Sequence, residues 1–305
     1  MNRPQPMAAA IAWLGDGSGH GCWGSPADLA IPLDDRGLLL ADGLFETVLV
    51  EAGRAWLLAE HLERWQGSAA LLGLPPPPGA ATVESLLGAA TARSGIGTAL
   101  GSSGALRLNW SRGSSDRGSG DRSSTSRGID LAGNDEPRFW LQLSAIEPCF
   151  APLRVIVSPT ETRSATSLLS RCKSFAYGAS IQARRQARAA GADDALLPSS
   201  AGGLCCGTTA NLLVWRGGSW ITPPLSSGCL PGVMRRRGLE RGLVAEALIE
   251  EQDLLRAGAA WLINSLGCRP ISHLGAVPLA SSDQLPGQQP ERFWRQLLLP
   301  DRPCS

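Results

Sequence analysis

One lysine and one tyrosine stand out among the residues that could carry chemistry. Of the 28 basic residues only Lys173 is a lysine, and the single tyrosine, Tyr177, follows four positions later. A lysine amine can lose its proton and form a Schiff base with a carbonyl group, whereas a guanidinium stays charged. The alternative is a surface lysine retained by chance. The pairing of two such rare residues makes the neighbourhood of Lys173 the first candidate for a catalytic site.

A second motif indicates an anion-binding site. The run Leu230–Arg235 (LPGVMR) is typical of a helix start, with Pro231 near the first turn. Backbone N–H groups at a helix N-terminus bind phosphate, although most helix starts of this kind hold no ligand. A Schiff-base lysine implies a carbonyl compound, and an aldehyde that also carries a phosphate is pyridoxal 5′-phosphate (PLP). The two features together therefore favour PLP as cofactor.

The first block of the chain, residues 1–147, is predicted to form a small α/β lobe. The elements predicted from hydrophobic spacing are a strand over 44–50, a helix over 58–73, and strands over 105–110 and 138–146. Residues 111–136 are rich in Ser, Gly, Arg and Asp, and from Arg112 to Arg138 five arginines balance five acidic residues. We expect a flexible polar loop there.

The second block, residues 152–305, is predicted to form a larger lobe. The elements predicted there are a strand over 153–159, a helix over 174–191, short strands within 194–198, 202–215 and 219–224, and a helix that starts near 231. Strands and helices alternate in both blocks. The pattern predicts an α+β protein of two lobes, joined near residues 147–152.

Composition limits the classes of function. The chain is 43% hydrophobic and 18% charged with a net charge of +1, which excludes bulk disorder and gives no field that attracts nucleic acid or an acidic membrane. No run approaches the roughly 18 apolar residues of a membrane span, and the N-terminus has a weak core for a signal peptide, so we expect a cytoplasmic protein. The eight cysteines form no metal-ligand spacing with the three histidines. We expect no metal site, and reduced cysteines that mostly pack in the core.

Several ordered segments between Ile31 and Ser265 carry a resemblance to a known family. They are Asp35–Gly37, Asp42–Thr47, His61–Arg64 with Ser68, Lys173 with Tyr177, Gly207–Asn211, Thr222–Pro224, Leu230–Arg235, and Asn264 with Ser265. The chain resembles the fold-type IV PLP enzymes, the class IV aminotransferase superfamily, and within it most resembles the aminodeoxychorismate lyases. The resemblance implies a two-lobed α+β fold like that of the D-amino-acid aminotransferases, with a small N-terminal and a larger C-terminal lobe.

The resemblance also implies roles for individual residues. The positions it assigns to cofactor binding are Arg64, Lys173, Tyr177, Cys206, Thr208, Val233, Met234 and Ser265. Lys173 would form the Schiff base and then move the substrate proton. Arg64, the backbone of Val233 and Met234, and the Ser265 hydroxyl would bind the phosphate, which suits a guanidinium fork and helix-end amides. Tyr177 would donate a hydrogen bond to the phenolic oxygen of the cofactor.

Cys206 departs from the family pattern. The family usually has a glutamate at this position, which pairs with the pyridine nitrogen and makes the ring a strong electron sink. A thiol is a poorer partner, and transamination should suffer more from this than a β-elimination that ends in an aromatic ring. The departure therefore favours a lyase over a branched-chain or D-amino-acid aminotransferase. Two alternatives stay open: a PLP-binding protein without catalysis, and a site in which Glu46 or another acid takes the glutamate's place.

The lyase reading implies a small-molecule substrate. The reaction would convert 4-amino-4-deoxychorismate, a dicarboxylate, to 4-aminobenzoate and pyruvate in folate synthesis. Arginines should bind its carboxylates, and Arg107 and Arg112 are the candidates, with charges that are merely solvated as the alternative. Members of the family are usually homodimers, so a homodimer is expected here as well.

Overall fold

The computed structural model describes residues 10–115, 129, 135–281, 285 and 287–300. The chain divides into two compact units. The first is Met1–Glu147 together with Lys173–Ala176, and the second is Pro148–Cys172 together with Tyr177–Ser305. The segment that carries the single lysine thus belongs to the first unit, whereas the sequence pattern assigns all of 152–305 to the second lobe.

The described part of the first unit contains one antiparallel sheet and three helices. Its strands are β1 (Ile11–Gly15), β2 (Gly21–Gly24), β3 (Gly43–Glu51), β4 (Arg54–Ala55), β5 (Ser103–Ser115) and β6 (Asp135–Ile146). Its helices are α1 (Arg36–Leu40), α2 (Leu58–Leu71) and α3 (Ala80–Ser94). The strand order is β2-β1-β6-β5-β3-β4, which places β3 beside the long hairpin of β5 and β6.

The hydrophobic pattern explains why β3 and α2 form where they do. Nearly every residue of β3 is buried, as expected for a strand with cover on both faces. In α2 the buried residues His61, Leu62, Trp65, Ser68 and Ala69 recur at helical spacing and form one face. The predictions of a strand over 44–50 and a helix over 58–73 are confirmed.

The expectation of a polar loop over residues 111–136 is wrong at both ends. Strand β5 continues to Ser115 and β6 starts at Asp135, with Ser114 paired to Glu136. The register shifts between Ser111 and Ser114, where Gly113 has φ +77, so a bulge lets the ladder continue. Backbone pairing does not need apolar side chains, and hydrophobicity alone therefore missed these ends. Of the residues between Ser115 and Asp135, all but Ile129 lie outside the described part.

The described part of the second unit contains a mixed sheet of nine strands and four helices. The strands are β7 (Leu153–Val157), β8 (Asp194–Pro198), β9 (Leu204–Gly207), β10 (Asn211–Arg216), β11 (Ser219–Thr222), β12 (Val244–Glu246), β13 (Ala259–Asn264), β14 (Gly267–Leu274) and β15 (Val277–Pro278). The helices are α4 (Gly178–Ala189), α5 (Val233–Glu240), α6 (Glu251–Leu255) and α7 (Pro290–Leu298). The order is β12-β11-β10-β13-β14-β7-β8-β9, with β15 paired to β14 and β9 also bridged to β10. The α+β class is confirmed.

Helix α4 starts later than its sequence pattern predicts. The pattern favours a helix from Ser174, but α4 starts at Gly178. The four residues Lys173–Ala176 are drawn into backbone pairing with β3 instead, and a long-range pairing of this kind overrides local helix preference. In the described residues, no helix is both long and apolar enough to cross a membrane.

Candidate functional site

Strand β3 fixes the backbone around the single lysine. The N–H of Phe45 donates to the carbonyl of Lys173 at 2.9 Å, and the N–H of Phe175 donates to the carbonyl of Gly43 at 3.0 Å. Gly43 permits this close approach, because a Cβ atom there would lie 2.3 Å from the ring of Phe175. The position of Lys173 therefore depends on backbone bonds and on one obligatory glycine.

The side chain of Lys173 contacts an aromatic ring that an arginine also contacts. The Nζ atom of Lys173 lies 4.3 Å from the ring centre of Phe45, and the Cζ atom of Arg107 lies 3.7 Å from the same centre. Both cations gain from the ring's quadrupole. The Nε of Arg107 donates to Oδ1 of Asn109 at 2.8 Å, which orients the guanidinium. Two of the sequence-predicted residues, Lys173 and Arg107, are thus brought to one ring.

Arg64 belongs to a buried ionic cluster. Its Nε donates to Oε1 of Glu46 at 2.8 Å and its Nη2 to Oε2 at 2.5 Å. The Nδ1 of His61 lies 2.7 Å from the same Oε2. The side chains of Glu46 and His61 are each 1% exposed, and that of Arg64 is 9% exposed. The sequence named these residues as motif positions but did not predict their pairing.

The pKa values of this cluster follow from its geometry. Burial alone raises the pKa of Glu46, but the charge of Arg64 and the hydrogen bond with His61 outweigh burial and lower that pKa to about 2. Burial lowers the pKa of His61 by more than the contact with Glu46 raises it. The charges of Arg64 and Lys173 lower this pKa further. Near neutral pH, Glu46 is therefore ionised and His61 is neutral.

Arg112 occupies a different setting from the one the sequence predicts. It lies inside β5 rather than in a loop, and its side chain is 5% exposed. Its Nε donates to Asp42 at 2.8 Å and its Nη1 to the carbonyl of Gly73 at 2.8 Å. These partners favour a structural role, because the guanidinium holds the end of α2 to the start of β3. Arg107 remains the arginine that suits a substrate carboxylate.

In the second unit, the start of α5 lacks a side-chain cap and depends on close packing of a glycine. Gly232 is the N-cap residue, makes no side-chain capping bond, and is followed by the buried residues Val233 and Met234. A Cβ atom at Gly232 would lie 2.0 Å from Oδ1 of Asn211, whose Nδ2 donates to the carbonyl of Leu230 at 3.0 Å. Only glycine allows this close packing. The first amides of α5 lack a side-chain cap, and a phosphate oxygen is a suitable acceptor for them.

Cys206 lies in an apolar cluster of the second unit. It belongs to β9 and packs with Cys205, Cys229 and a group of apolar residues on α4, on β8 and between the two, which are Ala183, Ala187, Ala192, Ala195 and Leu197. Hydrogen bonds with Cys206 and Cys229 raise the pKa of Cys205 far above its ordinary value. The hydrogen bond from Cys205 lowers the pKa of Cys229, against its burial. Five cysteines of the described residues are buried and two are exposed, and none of these seven forms a disulfide.

The other assigned residues of the second unit are placed by hydrogen bonds and turns. Thr208 donates to Asp194 at 2.5 Å, and both bind Arg184. Tyr177 is the N-cap residue of α4 and is half-buried. Ser265 is half-buried in the turn between β13 and β14, where Asn264 accepts from the N–H of Leu266 at 2.8 Å.

These donors fit the groups that PLP presents. The first unit supplies a primary amine for an aldehyde and a guanidinium, already oriented by Glu46, for a phosphate. The second unit supplies an uncapped helix start with the close glycine packing that a phosphate cradle requires. Among the described residues, no group of three or more His, Cys, Asp and Glu side chains could hold a metal ion. Taken by itself, each unit thus offers donors that suit a phosphate, and the first also offers an amine that suits an aldehyde.

Comparison with known proteins identifies the family. The family model for amino-transferase class IV matches residues 43–274. A Schizosaccharomyces pombe protein, provisionally named an aminodeoxychorismate lyase, is 27% identical over 225 residues, which are 73% of this chain and 85% of that protein. A Mycobacterium tuberculosis protein named bifunctional aminodeoxychorismate lyase / D-amino acid transaminase is 27% identical over 263 residues, covering 76% of this chain and 81% of that one. The structure of a fold IV transaminase from Curtobacterium pusillum has a TM-score of 0.75 at 25% identity, covering 94% of this chain and 98% of that one.

The chain therefore belongs to the class IV aminotransferase family. Members of this family are PLP-dependent enzymes, so this protein is a PLP-dependent enzyme with a small-molecule substrate. The family resemblance and the cofactor expected from the sequence are confirmed. The roles of the single residues stay predictions.

Sequence reasoning missed the contacts that hold the assigned residues in place. Glu46 and His61 come together from β3 and α2, and Asn109 binds Arg107 from two residues away on β5. The spacing of His61 and Arg64, three residues apart on one helix, was the signal that both could reach a single carboxylate. The identity of that carboxylate depended on the fold.

Proposed function

We propose that the protein is an aminodeoxychorismate lyase, which converts 4-amino-4-deoxychorismate to 4-aminobenzoate and pyruvate. The observation that carries the proposal is Cys206, which packs among alanines and cysteines at the position where the family usually has a glutamate. The likeness to the Schizosaccharomyces pombe protein over 85% of its length supports the same reaction.

The proposed roles follow the chemistry of each side chain. PLP, when bound, supplies an aldehyde that links to an amine and a ring that withdraws electrons from the substrate. With PLP bound, Lys173 would hold the cofactor's aldehyde carbon through its Nζ, and the same nitrogen would hold and move the substrate proton. Arg107, held over the Phe45 ring by Asn109, binds a substrate carboxylate. The side chain of Arg112 serves the fold instead.

The residues proposed to hold the cofactor divide into phosphate ligands and ring ligands. The phosphate ligands are Arg64, the backbone N–H groups of Val233 and Met234, and the hydroxyl of Ser265. Tyr177 donates a hydrogen bond to the phenolic oxygen. Thr208, oriented by Asp194, and Cys206 lie on the strand and turn that are proposed to contact the ring.

Cys206 explains why elimination is favoured over transamination. A carboxylate at this position would keep the pyridine nitrogen protonated and the ring strongly electron-withdrawing, whereas a thiol would do so weakly. Transamination would depend more heavily on that withdrawal than the elimination does. In the lyase reaction the product gains an aromatic ring, and that gain drives the elimination with a weaker sink.

The test is direct conversion of the substrate. Purified protein loaded with PLP is incubated with 4-amino-4-deoxychorismate, and 4-aminobenzoate and pyruvate are measured. The proposal expects equal amounts of both products. Bound cofactor without any 4-aminobenzoate would refute it.

A D-amino-acid aminotransferase is the second candidate, favoured by the bifunctional Mycobacterium tuberculosis relative. Mixing the loaded protein with a D-amino acid, and with a branched-chain L-amino acid for comparison, would convert the bound cofactor to its amine form and change its visible spectrum. The lyase proposal expects this conversion to be slow compared with the release of 4-aminobenzoate. The cytoplasmic location and the homodimer stay predictions.

A further inference from the structure

The protonation of the Glu46–His61 pair is determined by its contacts. Glu46 is ionised, and an ionised carboxylate only accepts hydrogen bonds. The Nδ1 atom of His61, 2.7 Å from Oε2 of Glu46, must therefore carry the proton and donate it. Because His61 is neutral, its imidazole is present as one tautomer, with the proton on Nδ1. The pair thus has a single hydrogen-bond arrangement.

This arrangement fixes the plane of the Arg64 guanidinium. Glu46 accepts from two different nitrogens of Arg64, Nε at 2.8 Å and Nη2 at 2.5 Å. A planar group held at two points cannot turn about its own bonds without breaking one of them. His61 in turn holds Oε2 of Glu46, so that the carboxylate cannot rotate away from Arg64.

Stability alone does not account for a buried cluster of this kind. Buried ion pairs lose much of their attraction to desolvation, and well-packed apolar residues are often as stable. The cluster lies on the strand that also positions the lysine, since Phe45, the neighbour of Glu46, donates its N–H to the carbonyl of Lys173. One strand therefore sets the place of both the amine and the guanidinium.

We propose that Glu46 and His61 are positioning residues that orient Arg64 and thereby set the preference of the protein for phosphorylated over unphosphorylated pyridoxal. The inference rests on the proposed role of Arg64 as a phosphate ligand. The plane of the Arg64 guanidinium, and with it the direction from which the group meets a phosphate, depends on the pair.

The experiment compares the binding of PLP and of pyridoxal, which lacks the phosphate. The full chain is freed of cofactor, and each compound is titrated by its visible absorption. The readout is the ratio of the Kd for pyridoxal to the Kd for PLP. A general loss of structure weakens both ligands and leaves the ratio unchanged, whereas a misplaced Arg64 weakens only PLP.

His61→Leu removes the donor to Glu46 and is expected to lower the ratio about tenfold. This change in Kd corresponds to the free energy of one hydrogen bond to a charged group. His61→Asn keeps an N–H donor and is expected to recover most of the ratio. The matched control is Asp35→Asn in the same unit, where Asp35 is fully buried and bound by Ser111 and Arg138. This control neutralises a buried carboxylate and is expected to keep the ratio of the unsubstituted protein.

An unchanged ratio in folded His61→Leu, or an equal loss for both ligands, overturns the inference while the proposed function stands. If His61→Leu does not fold, Glu46→Gln decides, because it keeps the shape of the side chain but loses the charge that holds Arg64. Its ratio is expected to fall by about tenfold or more, because Glu46 holds Arg64 directly, and no change overturns the inference. An unsubstituted protein that binds neither compound overturns the proposed function and the inference with it.

Discussion

The two units of the molecule hold their candidate residues in different ways. In the first unit these residues are charged, and a side-chain partner orients each guanidinium: Glu46 holds Arg64, and Asn109 holds Arg107. In the second unit the candidates are mostly neutral, such as the amides of Val233 and Met234 and the thiol of Cys206. The candidate binding groups are thus charged side chains in the first unit and mostly backbone amides in the second.

The difference predicts two kinds of sensitivity to substitution. A side chain removed from the first unit leaves a buried partner without its counter-charge, which weakens both stability and binding. Backbone amides in the second unit are removed only by a substitution to proline, and otherwise they respond only when packing moves them. The predictions below test this division, from the largest effect to the smallest.

Lys173→Arg gives the largest effect. Arginine keeps the charge and the backbone bonds to β3, but a guanidinium neither links to an aldehyde nor releases its proton. We expect product formation to fall by about 10²- to 10⁴-fold, measured as 4-aminobenzoate release. An urea unfolding curve close to that of the unsubstituted protein checks that the fold survives. Activity within a few fold of the original would remove Lys173 from its proposed role.

Gly232→Ala tests the cradle at the start of α5. The added Cβ would lie 2.0 Å from Oδ1 of Asn211, so the helix start has to shift. We expect PLP to bind about tenfold more weakly, as for the loss of one charge-assisted hydrogen bond, while pyridoxal binding changes less. Gly178→Ala is the control, because nothing lies within 4 Å of its Cβ position. Unchanged PLP affinity in folded Gly232→Ala would argue against a phosphate at this helix.

Cys206→Glu tests the link between the thiol and the reaction type. A carboxylate at this position should strengthen the electron sink, so we expect a several-fold rise of the half-reaction with a D-amino acid relative to elimination. Stopped-flow absorption of the bound cofactor measures it. Cys205→Ser, a substitution at the neighbouring buried cysteine, is the control and should not raise it. If the ratio of the two reactions does not move, the electron-sink argument is wrong.

The pH dependence of stability gives the smallest effect. The pKa of His61 is lowered in the folded chain. Below pH 6.5, its ordinary pKa, the unfolded chain therefore binds a proton more readily than the folded chain does. Stability is therefore lost as the pH falls through this range, by less than about 1.4 kcal/mol per pH unit for one proton. Glu46 adds a further loss of stability below pH 4.5, its ordinary pKa, because folding lowers that pKa to about 2.

Urea unfolding at about pH 7.5 and about pH 5.5 measures this loss. We expect His61→Asn to lose less stability over this interval than the unsubstituted protein. Identical slopes for the two proteins would show that His61 takes up its proton equally in the folded and unfolded states.

Local signals in the sequence were enough for several elements and for the central lysine. Hydrophobic spacing predicted β3 and α2, and the Pro-Gly pair predicted the start of α5 within two residues. The rarity of Lys173 pointed to its neighbourhood without any structure. These features depend on residues that are near one another in the chain.

The failures share a dependence on distant partners. The start of α4 moved because residues 173–176 pair with β3, more than 120 positions away. The ion pair of Arg112 with Asp42, 70 positions earlier, was not predicted, and the role of Arg112 toward a substrate stays a prediction. The Glu46–His61 contact likewise needed the fold. Periodicity and motif spacing contain no information on such pairings.

Borohydride reduction after incubation with PLP, followed by peptide mass mapping, tests the central claim most directly. Because the chain has one lysine, a single peptide can carry the lysine adduct. The account predicts a visible absorption band before reduction and a phosphopyridoxyl group on Lys173 after it. Absence of the band and of the adduct, at PLP concentrations that saturate related enzymes, would contradict it.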